Sequence, residues 1–479
     1  MTTFTEKTLP SRIGADEDIL LDMVFDDADL WQEAIAKGVD KDISIKELQE
    51  MCNPAWCRQA KIAMANRDYL VFPPHAAAIP KTDDANDDEL RHLMNEVRHG
   101  RMTKEQFNEV IKDRWRIVYV NMPKDRVLFI AIYKVLARNN REMVSPICRS
   151  YQEGISCGDT VKELAKNITN LSTQGDGVVG WKSDFTKYFD RVPLPLIEAV
   201  WQQLERKYGK SAIIDFLRNY YENDWYFDLF NDLCREYKSL KQGCAVAAWL
   251  ANVVIKDVDD RMAERNPNFR RYCDDTMYIG ADHEEALAYF KSMLDEKGIG
   301  MNPKKLEQVR ADRWIKFLGF SIKGNDISLS STAIEKLNTE IKEACLEPRQ
   351  TKSGKWVYPT FDVALRRVTK IIYNPNGDYS WATRVLRTVN VDADIRTIDE
   401  FIKDCLRAAK TKHRKVGGIG FQINQKVGCV CRGRGRNVSS NRAATEQHID
   451  GWLSLIEMRN ALRSGRAVYD ALLQSRKIA

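Results

Sequence analysis

Two adjacent carboxylates near the middle of the chain, Asp274 and Asp275, are the residue pair best suited to chemistry. They lie between two short runs rich in aromatic and β-branched residues, 269–273 and 276–279. These runs predict two strands joined by a turn that holds both aspartates. Like charges side by side repel, so an ordinary turn gains little from such a pair. A divalent cation would remove that penalty, and Mg²⁺ prefers hard oxygen ligands. The alternative is a plain solvated loop.

A third carboxylate and three further motifs surround this pair. Asp184 ends a predicted buried strand over 177–184. Leu-Lys-Gln-Gly-Cys-Ala follows at 240–245, Gly-Met-Asn-Pro-Lys-Lys at 300–305 and Lys-Phe-Leu-Gly-Phe at 316–320. Together with Tyr-Cys-Asp-Asp, these motifs resemble the palm motifs of reverse transcriptases, in the order of that family. The resemblance implies an α+β right-hand polymerase with fingers, palm and thumb. It also implies an antiparallel palm sheet and a mostly helical C-terminal region.

The same resemblance implies an RNA-directed DNA polymerase, a nucleotidyltransferase, that uses two Mg²⁺ ions, or Mn²⁺ in their place. Asp184 and Asp274 are expected to bridge both ions, with Asp275 nearby and the backbone carbonyl of Phe185 as a further ligand. Lys305 matches the family lysine that can protonate pyrophosphate. The remaining expected contacts are Gln242 on the incoming sugar, Gly243 beside the template, Phe189 beneath the sugar, and Phe317, Leu318 and Gly319 on the primer end.

The fingers are expected to carry basic residues to the incoming triphosphate. The runs 78–81 and 115–120 predict the two arms of a β-hairpin, separated by an unusually long insert. Lys81, Arg114 and Arg116 are the candidate triphosphate ligands, although solvent-facing charges on a hairpin would look the same. The predicted organisation is an acidic helical N-terminal cap at 1–60, fingers at 61–170 with a helical insert at 82–112, a palm at 171–325, and a helical thumb with a basic C-terminal extension at 326–479.

Basic residues are concentrated near the C-terminal end. The net charge is +6, but residues 401–442 hold eleven bases against one acid, Asp404. Such a segment is the expected footprint of phosphate binding, with a solvated tail as the alternative. The predicted RNA-binding residues are Lys412, Arg414, Lys415, Arg432, Arg434 and Arg436.

Composition sets limits on the class of protein. A hydrophobic content of 44% is typical of a globular chain. No apolar run approaches the roughly 18 residues of a membrane span, so no membrane contact is expected. The first residues lack the basic and apolar segments of a secretory signal. Eleven scattered cysteines predict reduced thiols and a cytoplasmic location.

Two other functions are alternatives to a reverse transcriptase. An RNA-dependent RNA polymerase is disfavoured by Phe189, since a ring there would clash with a 2′ hydroxyl, and by Tyr272 and Cys273 before the aspartates. A non-catalytic RNA-binding scaffold is disfavoured because all three carboxylates are intact.

Among reverse transcriptases, the layout resembles bacterial defence-associated enzymes, the type-2 class first and the type-9 class second. Retron-like and group II intron-like enzymes are the alternatives. The resemblance implies antiviral defence and a structured non-coding RNA partner as template, with dNTPs as substrates and cDNA as product. Oligomeric state, priming and template identity stay open.

Overall fold

The computed structural model describes residues 18–38, 43–81, 85–171, 177–350, 354–374, 380–411, 413–416, 419–423, 430–432, 449 and 451–472. The helices in this part of the chain are α1 Ile19–Phe25, α2 Ala28–Gly38, α3 Ile45–Met51, α4 Pro54–Ala65, α5 Asp87–Arg98, α6 Lys104–Ile111, α7 Pro123–Asn139, α8 Cys157–Asn170, α9 Tyr188–Arg191, α10 Leu194–Tyr208, α11 Ala212–Glu222, α12 Ala245–Val253, α13 Lys256–Arg265, α14 His283–Glu296, α15 Ser331–Leu346, α16 Phe361–Tyr373, α17 Trp381–Leu386, α18 Asp392–Thr411 and α19 Leu455–Arg463.

The strands are β1 His75–Pro80, β2 Trp115–Val120, β3 Val178–Asp184, β4 Trp225–Phe227, β5 Leu233–Arg235, β6 Arg270–Tyr272, β7 Asp275–Ile279, β8 Glu307–Arg310, β9 Ile315–Phe317, β10 Phe320–Lys323, β11 Asp326–Leu329, β12 Arg349–Gln350, β13 Trp356–Val357, β14 His413–Val416, β15 Ile419–Ile423 and β16 Val430–Arg432. Helices and mainly antiparallel sheets make the protein α+β, as the sequence predicts. None of the helices described here has the length and apolar character needed to cross a membrane.

The chain divides into two compact units. Unit 1 comprises residues 1–151, 185–261 and 289–302, and unit 2 comprises residues 152–184, 262–288 and 303–479. Each is built from separate stretches of chain. The two compact units do not coincide with the predicted linear division into cap, fingers, palm and thumb. That division therefore stays a prediction.

Unit 1 contains the predicted fingers hairpin. β1 pairs antiparallel with β2 from His75↔Val120 to Pro80↔Trp115, and the sheet order is β2-β1-β4-β5. The insert between the arms is a helical pair, as predicted. The Asn86 side chain caps α5, and Thr103 and Gln106 form the capping box of α6.

Unit 2 contains the sheet that carries the aspartates, in the order β6-β7-β3-β8. Its pairs are antiparallel. One face packs into a large core that includes Val179, Met277 and Ile279 together with helices α15 to α19. Gly180 is required in β3, since a Cβ there would lie 1.9 Å from the carbonyl oxygen of Tyr278 on β7. A glycine therefore lets β3 lie against the strand that opens with Asp275.

The C-terminal part of unit 2 is mostly helical, as expected for residues 326–479, but it also contains strands. β12 pairs with β13, and β14-β15-β16 form an antiparallel sheet across the basic segment. The backbones of Arg414 and Lys415 lie in β14 and that of Arg432 in β16. Their side chains lie outside the described residues, as do Lys412, Arg434 and Arg436. RNA binding by these six residues stays a prediction.

A buried carboxyl in unit 1 makes the stability of the protein depend on pH. Asp125 of α7 is 4% exposed and accepts a hydrogen bond of 3.0 Å from the Tyr69 hydroxyl. Burial raises the pKa of Asp125 from 3.8 to about 6, although the bonds from Tyr69 and the Phe72 backbone oppose the rise. Between these two pH values the native state holds a proton that the unfolded state has lost. Stability therefore falls as pH rises from about 4 to about 6, and changes little above that range.

We expect Asp125→Asn to remove this part of the pH dependence, because the amide cannot ionise and can still accept from Tyr69. The measurement is the thermal midpoint of wild type and variant from pH 4 to pH 8. The midpoint of the variant should rise relative to wild type between pH 4 and pH 6. The exposed neighbour change Asp68→Asn serves as control and should follow wild type. Parallel curves for Asp125→Asn and wild type would contradict the assignment.

Candidate active site

The two aspartates do not share the turn, which corrects the sequence expectation. Tyr272 pairs with Asp275 across the β6–β7 hairpin, so only Cys273 and Asp274 form the turn, and Asp275 is the first residue of β7. A two-residue loop is the tightest hairpin connection, which leaves no room for a third turn residue. Cys273 has φ +62°, a conformation that a side chain makes costly. The strained turn sets Asp274 at the tip of the hairpin.

Asp184 and Asp275 are brought together by strand pairing. Asp184 is the last residue of β3 and lies directly opposite Asp275 of β7. One step along, the buried pair Ser183 and Thr276 is joined by a hydroxyl–hydroxyl hydrogen bond of 2.9 Å, and the Thr276 hydroxyl donates to the Ser183 carbonyl at 3.1 Å. These bonds hold the register of the two strands next to the carboxylates.

A buried arginine supports the turn and was not assigned from the sequence. Arg271 of β6 is fully buried, and its guanidinium donates to the carbonyl of Cys273 at 2.9 Å. Because the donor is charged, this bond is stronger than a neutral one. The signal available in the sequence was an arginine inside a predicted strand, three residues before Asp274.

Burial and neighbouring charges oppose the ionisation of Asp275. Burial, and then the charges of Asp274 and Asp184, raise the pKa of Asp275 to about 7, while Lys305 and Lys182 partly offset the rise. Lys305 donates a short hydrogen bond to Asp184 Oδ2. Burial alone would lower the pKa of Lys305, but Asp184, Asp275 and Asp274 outweigh burial and raise it. Lys305 thus supplies a positive charge that contacts Asp184 and also lowers the pKa of Asp275.

The residues of several motifs line one cleft of about 260 Å³ in unit 2. Asp184, Asp275 and Lys305 line it together with the turn from Phe317 to Gly319. The cleft also includes Lys182, Ser183, Glu307, Lys316, Ser330 and Thr332. Convergence of separately predicted motifs on a single concave site is the pattern expected of an active site.

The predicted primer-contacting residues form the tight turn between β9 and β10. Leu318 and Gly319 have φ +50° and +80°, and Phe317 pairs with Phe320, as in a two-residue hairpin loop. The Phe317 side chain is 4% exposed and belongs to the core. What this turn can offer a primer is therefore backbone and the Leu318 side chain, rather than the Phe317 ring.

Lys182 also lines the cleft and was missed in the sequence. Its ammonium donates to the carbonyl of Lys316 at 2.8 Å and lies 3.0 Å from a Glu307 carboxylate oxygen. It therefore ties β3 to the start of the β9–β10 hairpin. Alternation along β3 places Lys182 on the same face as Asp184, which is the signal that could have identified it.

In unit 1, the predicted nucleotide contacts gather around the Gln-Gly motif. The Tyr119 amide of β2 donates to the Gln242 carbonyl at 2.6 Å, and the Leu240 amide donates to the Phe189 carbonyl at 3.0 Å. Gly243 has φ +117°, and a Cβ there would lie 2.7 Å from the Tyr119 carbonyl oxygen. In the described structure, the group that approaches Gly243 closely is therefore the backbone of strand β2. Its expected contact with template stays a prediction.

Lys241 anchors this motif and was not assigned from the sequence. It is 2% exposed, and its ammonium donates to the carbonyls of Tyr220 and Asn223, the latter at 2.6 Å. The ammonium also lies 4.2 Å from the centre of the Tyr220 ring. Burial lowers the pKa of Lys241 to about 8. Gln242 and Gly243 are therefore held between a buried lysine and strand β2.

The three basic fingers candidates differ in their surroundings. Arg114 donates to both Glu89 carboxylate oxygens, at 2.7 Å to Oε2, and stacks on the Trp115 ring. Lys81 donates to the Lys112 carbonyl at 2.6 Å. Burial and the neighbouring charge of Arg116 lower the pKa of Lys81. Arg116 is exposed on β2. Arg114 is thus tied to the insert, and all three remain predicted triphosphate ligands.

The expected metal ligands are carboxylates, which suit a divalent cation chemically. Their side chains do not form a complete coordination shell. Asp275 is a largely buried carboxyl whose pKa is raised partly by two other carboxylates, and a cation would relieve that repulsion. Within the ranges described, no three His, Cys, Asp or Glu side chains are grouped closely enough to hold a metal ion. The Phe185 ring packs in the core of unit 1 against Tyr188. Its carbonyl stays a predicted ligand.

Comparison with known proteins agrees with this geometry. Residues 102–322, slightly less than half of the chain, match the family model described as reverse transcriptase (RNA-dependent DNA polymerase). This segment therefore matches the reverse transcriptase family, whose members are RNA-directed DNA polymerases by the description of that model. None of the curated proteins compared matches the chain.

Two solved structures resemble it distantly. One is an insertion-loop deletion mutant of the RNA-dependent RNA polymerase of a human picobirnavirus, with 13% identity and a TM-score of 0.40. The other is telomerase from Candida albicans with a fragment of telomeric RNA, with 12% identity and a TM-score of 0.34. Each match covers 62% of this chain, and 55% and 57% of those chains respectively. The chain thus corresponds to little more than half of either protein.

Proposed function

We propose that this chain copies a structured non-coding RNA partner into cDNA by two-metal nucleotidyl transfer, in the cytoplasm and in antiviral defence. The proposed nucleotidyl transfer rests on one observation, the pairing of Asp184 with Asp275 at the end of β3. Asp274 lies next to this pair in the turn, and the Lys305 ammonium contacts Asp184. Carboxylates can hold the metal ions of phosphoryl transfer, and a lysine can supply a positive charge and a proton.

Asp184, Asp274 and Asp275, with the Phe185 carbonyl, would hold two Mg²⁺ or Mn²⁺ ions. Such ions would polarise the α-phosphate and stabilise the charge of both the attacking and the leaving oxygen. The ions would lie at the end of the two central strands, because strand register fixes Asp184 opposite Asp275.

Lys305 has a second role in this proposal. Its raised pKa keeps it protonated at neutral pH, and it lies beside Asp184. An ammonium there can neutralise the phosphates on entry and deliver a proton to the leaving pyrophosphate. Lys182 and the turn at Leu318 also line this cleft, and we place the primer end beside that turn.

Choice of sugar is assigned to Phe189. Its side chain is partly exposed, and its backbone is bonded to Leu240, next to the Gln-Gly motif. A ring beneath the sugar would exclude a 2′ hydroxyl by steric clash. We expect Phe189→Ala to raise rNTP incorporation relative to dNTP by about tenfold, the effect of removing part of a close-fitting pocket.

The measurement is the ratio of kcat/KM for rNTP and dNTP in primer extension on one RNA template. Phe189→Tyr keeps the ring and is the matched control, with a ratio like that of wild type. If Phe189→Ala remains active with an unchanged ratio, another residue selects the sugar.

The partner RNA is assigned to the basic segment 401–442. We expect replacement of Lys412, Arg414, Lys415, Arg432, Arg434 and Arg436 by glutamine to weaken binding of the co-purifying RNA about tenfold. Each lost phosphate contact also reduces counterion release, so the salt dependence of binding should become less steep. The measurement is RNA affinity at several salt concentrations. Wild-type affinity of the variant at every concentration would contradict the assignment.

The experiment that tests the proposed function as a whole is sequencing of the nucleic acid that co-purifies with the full chain. One recurrent structured RNA, with cDNA complementary to it, is the expected result. Infection of cells carrying wild type or an inactive variant then tests the defensive role. Purified protein that extends an RNA-templated primer with rNTPs but not dNTPs would overturn the proposal in favour of an RNA polymerase. Equal phage growth in both cells would remove the defensive role alone.

A further inference from the structure

A second polar cavity in unit 2, of about 520 Å³, shares no lining residue with the catalytic cleft. It lies among the start of α8, helix α17 and the chain just after α19. Its charged lining residues are Asp159, Lys162, Arg384 and Arg387, so three cations face one carboxylate. The volume is within the range of small-molecule sites in proteins.

Two arginines of this cavity have no anionic partner in the described part of the chain. Arg384 and Arg387 lie three residues apart on and just after α17, so they project from neighbouring positions of one helical turn. No carboxylate and no hydrogen-bond acceptor among the described residues pairs with either guanidinium. The Nε atom of Arg384 is buried without an acceptor. A buried charged donor left without an acceptor is costly, so this arrangement favours an external anion.

The single carboxylate of the cavity is already engaged. Asp159 accepts from the amide and the hydroxyl of Ser156, at 3.1 and 2.7 Å, in the capping box of α8. Lys162 approaches another oxygen of Asp159 only at 3.8 Å. The positive charge of Arg384 and Arg387 is therefore not balanced from within the cavity.

Two tyrosines complete the lining of the cavity, one of them buried and the other exposed. Tyr373 is buried, stacks on Trp452 at 5.2 Å and donates its hydroxyl to the Leu453 carbonyl. Tyr469 is 53% exposed, with Val468 beside it. An exposed ring in the same cavity as two arginines that have no anionic partner among the described residues suits a ligand with both an aromatic base and a phosphate.

We propose that this cavity binds a nucleotide, with its phosphate on Arg384 and Arg387 and its base against the Tyr469 side. Arginine's planar fork matches two phosphate oxygens at once, which a lysine cannot do. The nucleotide is either free or one unit of a nucleic-acid strand. This site is separate from the polymerase carboxylates and does not rest on the proposed function.

The test is calorimetric titration of the full chain with dATP, with inorganic phosphate, and with a six-nucleotide single-stranded RNA. EDTA is present, so that no metal-dependent binding at the carboxylates contributes. Wild type should bind at least one of the two nucleotide probes. Arg384→Gln with Arg387→Gln should weaken that binding at least about tenfold, as expected for loss of charge-assisted bonds. Arg366→Gln changes an exposed arginine of α16 that does not line the cavity, and should leave binding unchanged.

Three further arms keep the test decisive. Arg387 is exposed, so Arg387→Glu should fold normally and still lose binding even if the double variant is unstable. Tyr469→Ala should weaken nucleotide binding and leave phosphate binding unchanged. Competition between dATP and the RNA at this site indicates a free nucleotide as ligand, and binding of the RNA alone indicates a strand. No binding of either nucleotide probe by wild type, or binding unaffected by Arg387→Glu, would overturn the proposal.

Discussion

Asp274→Asn combined with Asp275→Asn should abolish DNA synthesis, with kcat reduced at least about 10³-fold. The carboxamides keep the shape of the hairpin tip but cannot hold divalent cations as carboxylates do. Stability should stay equal to wild type or rise, because the pKa of Asp275 is raised by burial and by its carboxylate neighbours. Replacing a destabilised carboxylate by a neutral group removes that repulsion.

The measurements are steady-state primer extension on an RNA template and thermal unfolding of the same samples. Asp326→Asn, at an exposed position of β11, is the matched control and should retain both activity and stability. Retention of normal dNTP incorporation by the folded double variant would contradict the catalytic assignment. Loss of activity with a lowered melting temperature would instead show that the pair is structural.

Lys305→Met should lower kcat about 10²-fold, which is the usual contribution of a positioned general acid. The methionine keeps much of the length of the side chain but removes both its charge and its proton. Lys305 donates a hydrogen bond to Asp184 Oδ2, so its loss also removes a positive charge from beside the carboxylates. The raised pKa of Lys305 predicts that wild-type activity falls only at high pH as this group loses its proton.

The pH profile of kcat separates these roles. A general acid predicts a high-pH limb in wild type that Lys305→Met lacks, whereas a purely structural lysine predicts parallel profiles. Lys323→Met alters an exposed lysine of β10 and is the control, with wild-type kcat expected. Wild-type kcat in Lys305→Met would show that another group, or water, protonates the pyrophosphate.

The sequence by itself identified the candidate catalytic residues. Asp184, Asp274, Asp275 and Lys305 were found because each stands in a short local pattern, a strand end, a turn or a lysine-bearing loop. The fingers hairpin was predicted for a similar reason, since alternation along 115–120 is a local signal, and β2 has those bounds. Patterns of this kind are visible because neighbours in sequence determine them.

Only the tertiary structure decided which residues share a site and what charge each one meets. The pairing of Asp184 with Asp275 depends on a strand register set across ninety residues of chain, through Gly180, Ser183 and Thr276. Arg271, Lys182 and Lys241 were missed because a lysine or arginine looks alike in sequence whether it is buried under a turn or solvated. That Arg384 and Arg387 meet no anionic partner among the described residues is likewise a property of the packing. Local propensity determines an element, but the proximity of distant side chains depends on how the elements pack, and the pKa of a carboxyl depends on that proximity.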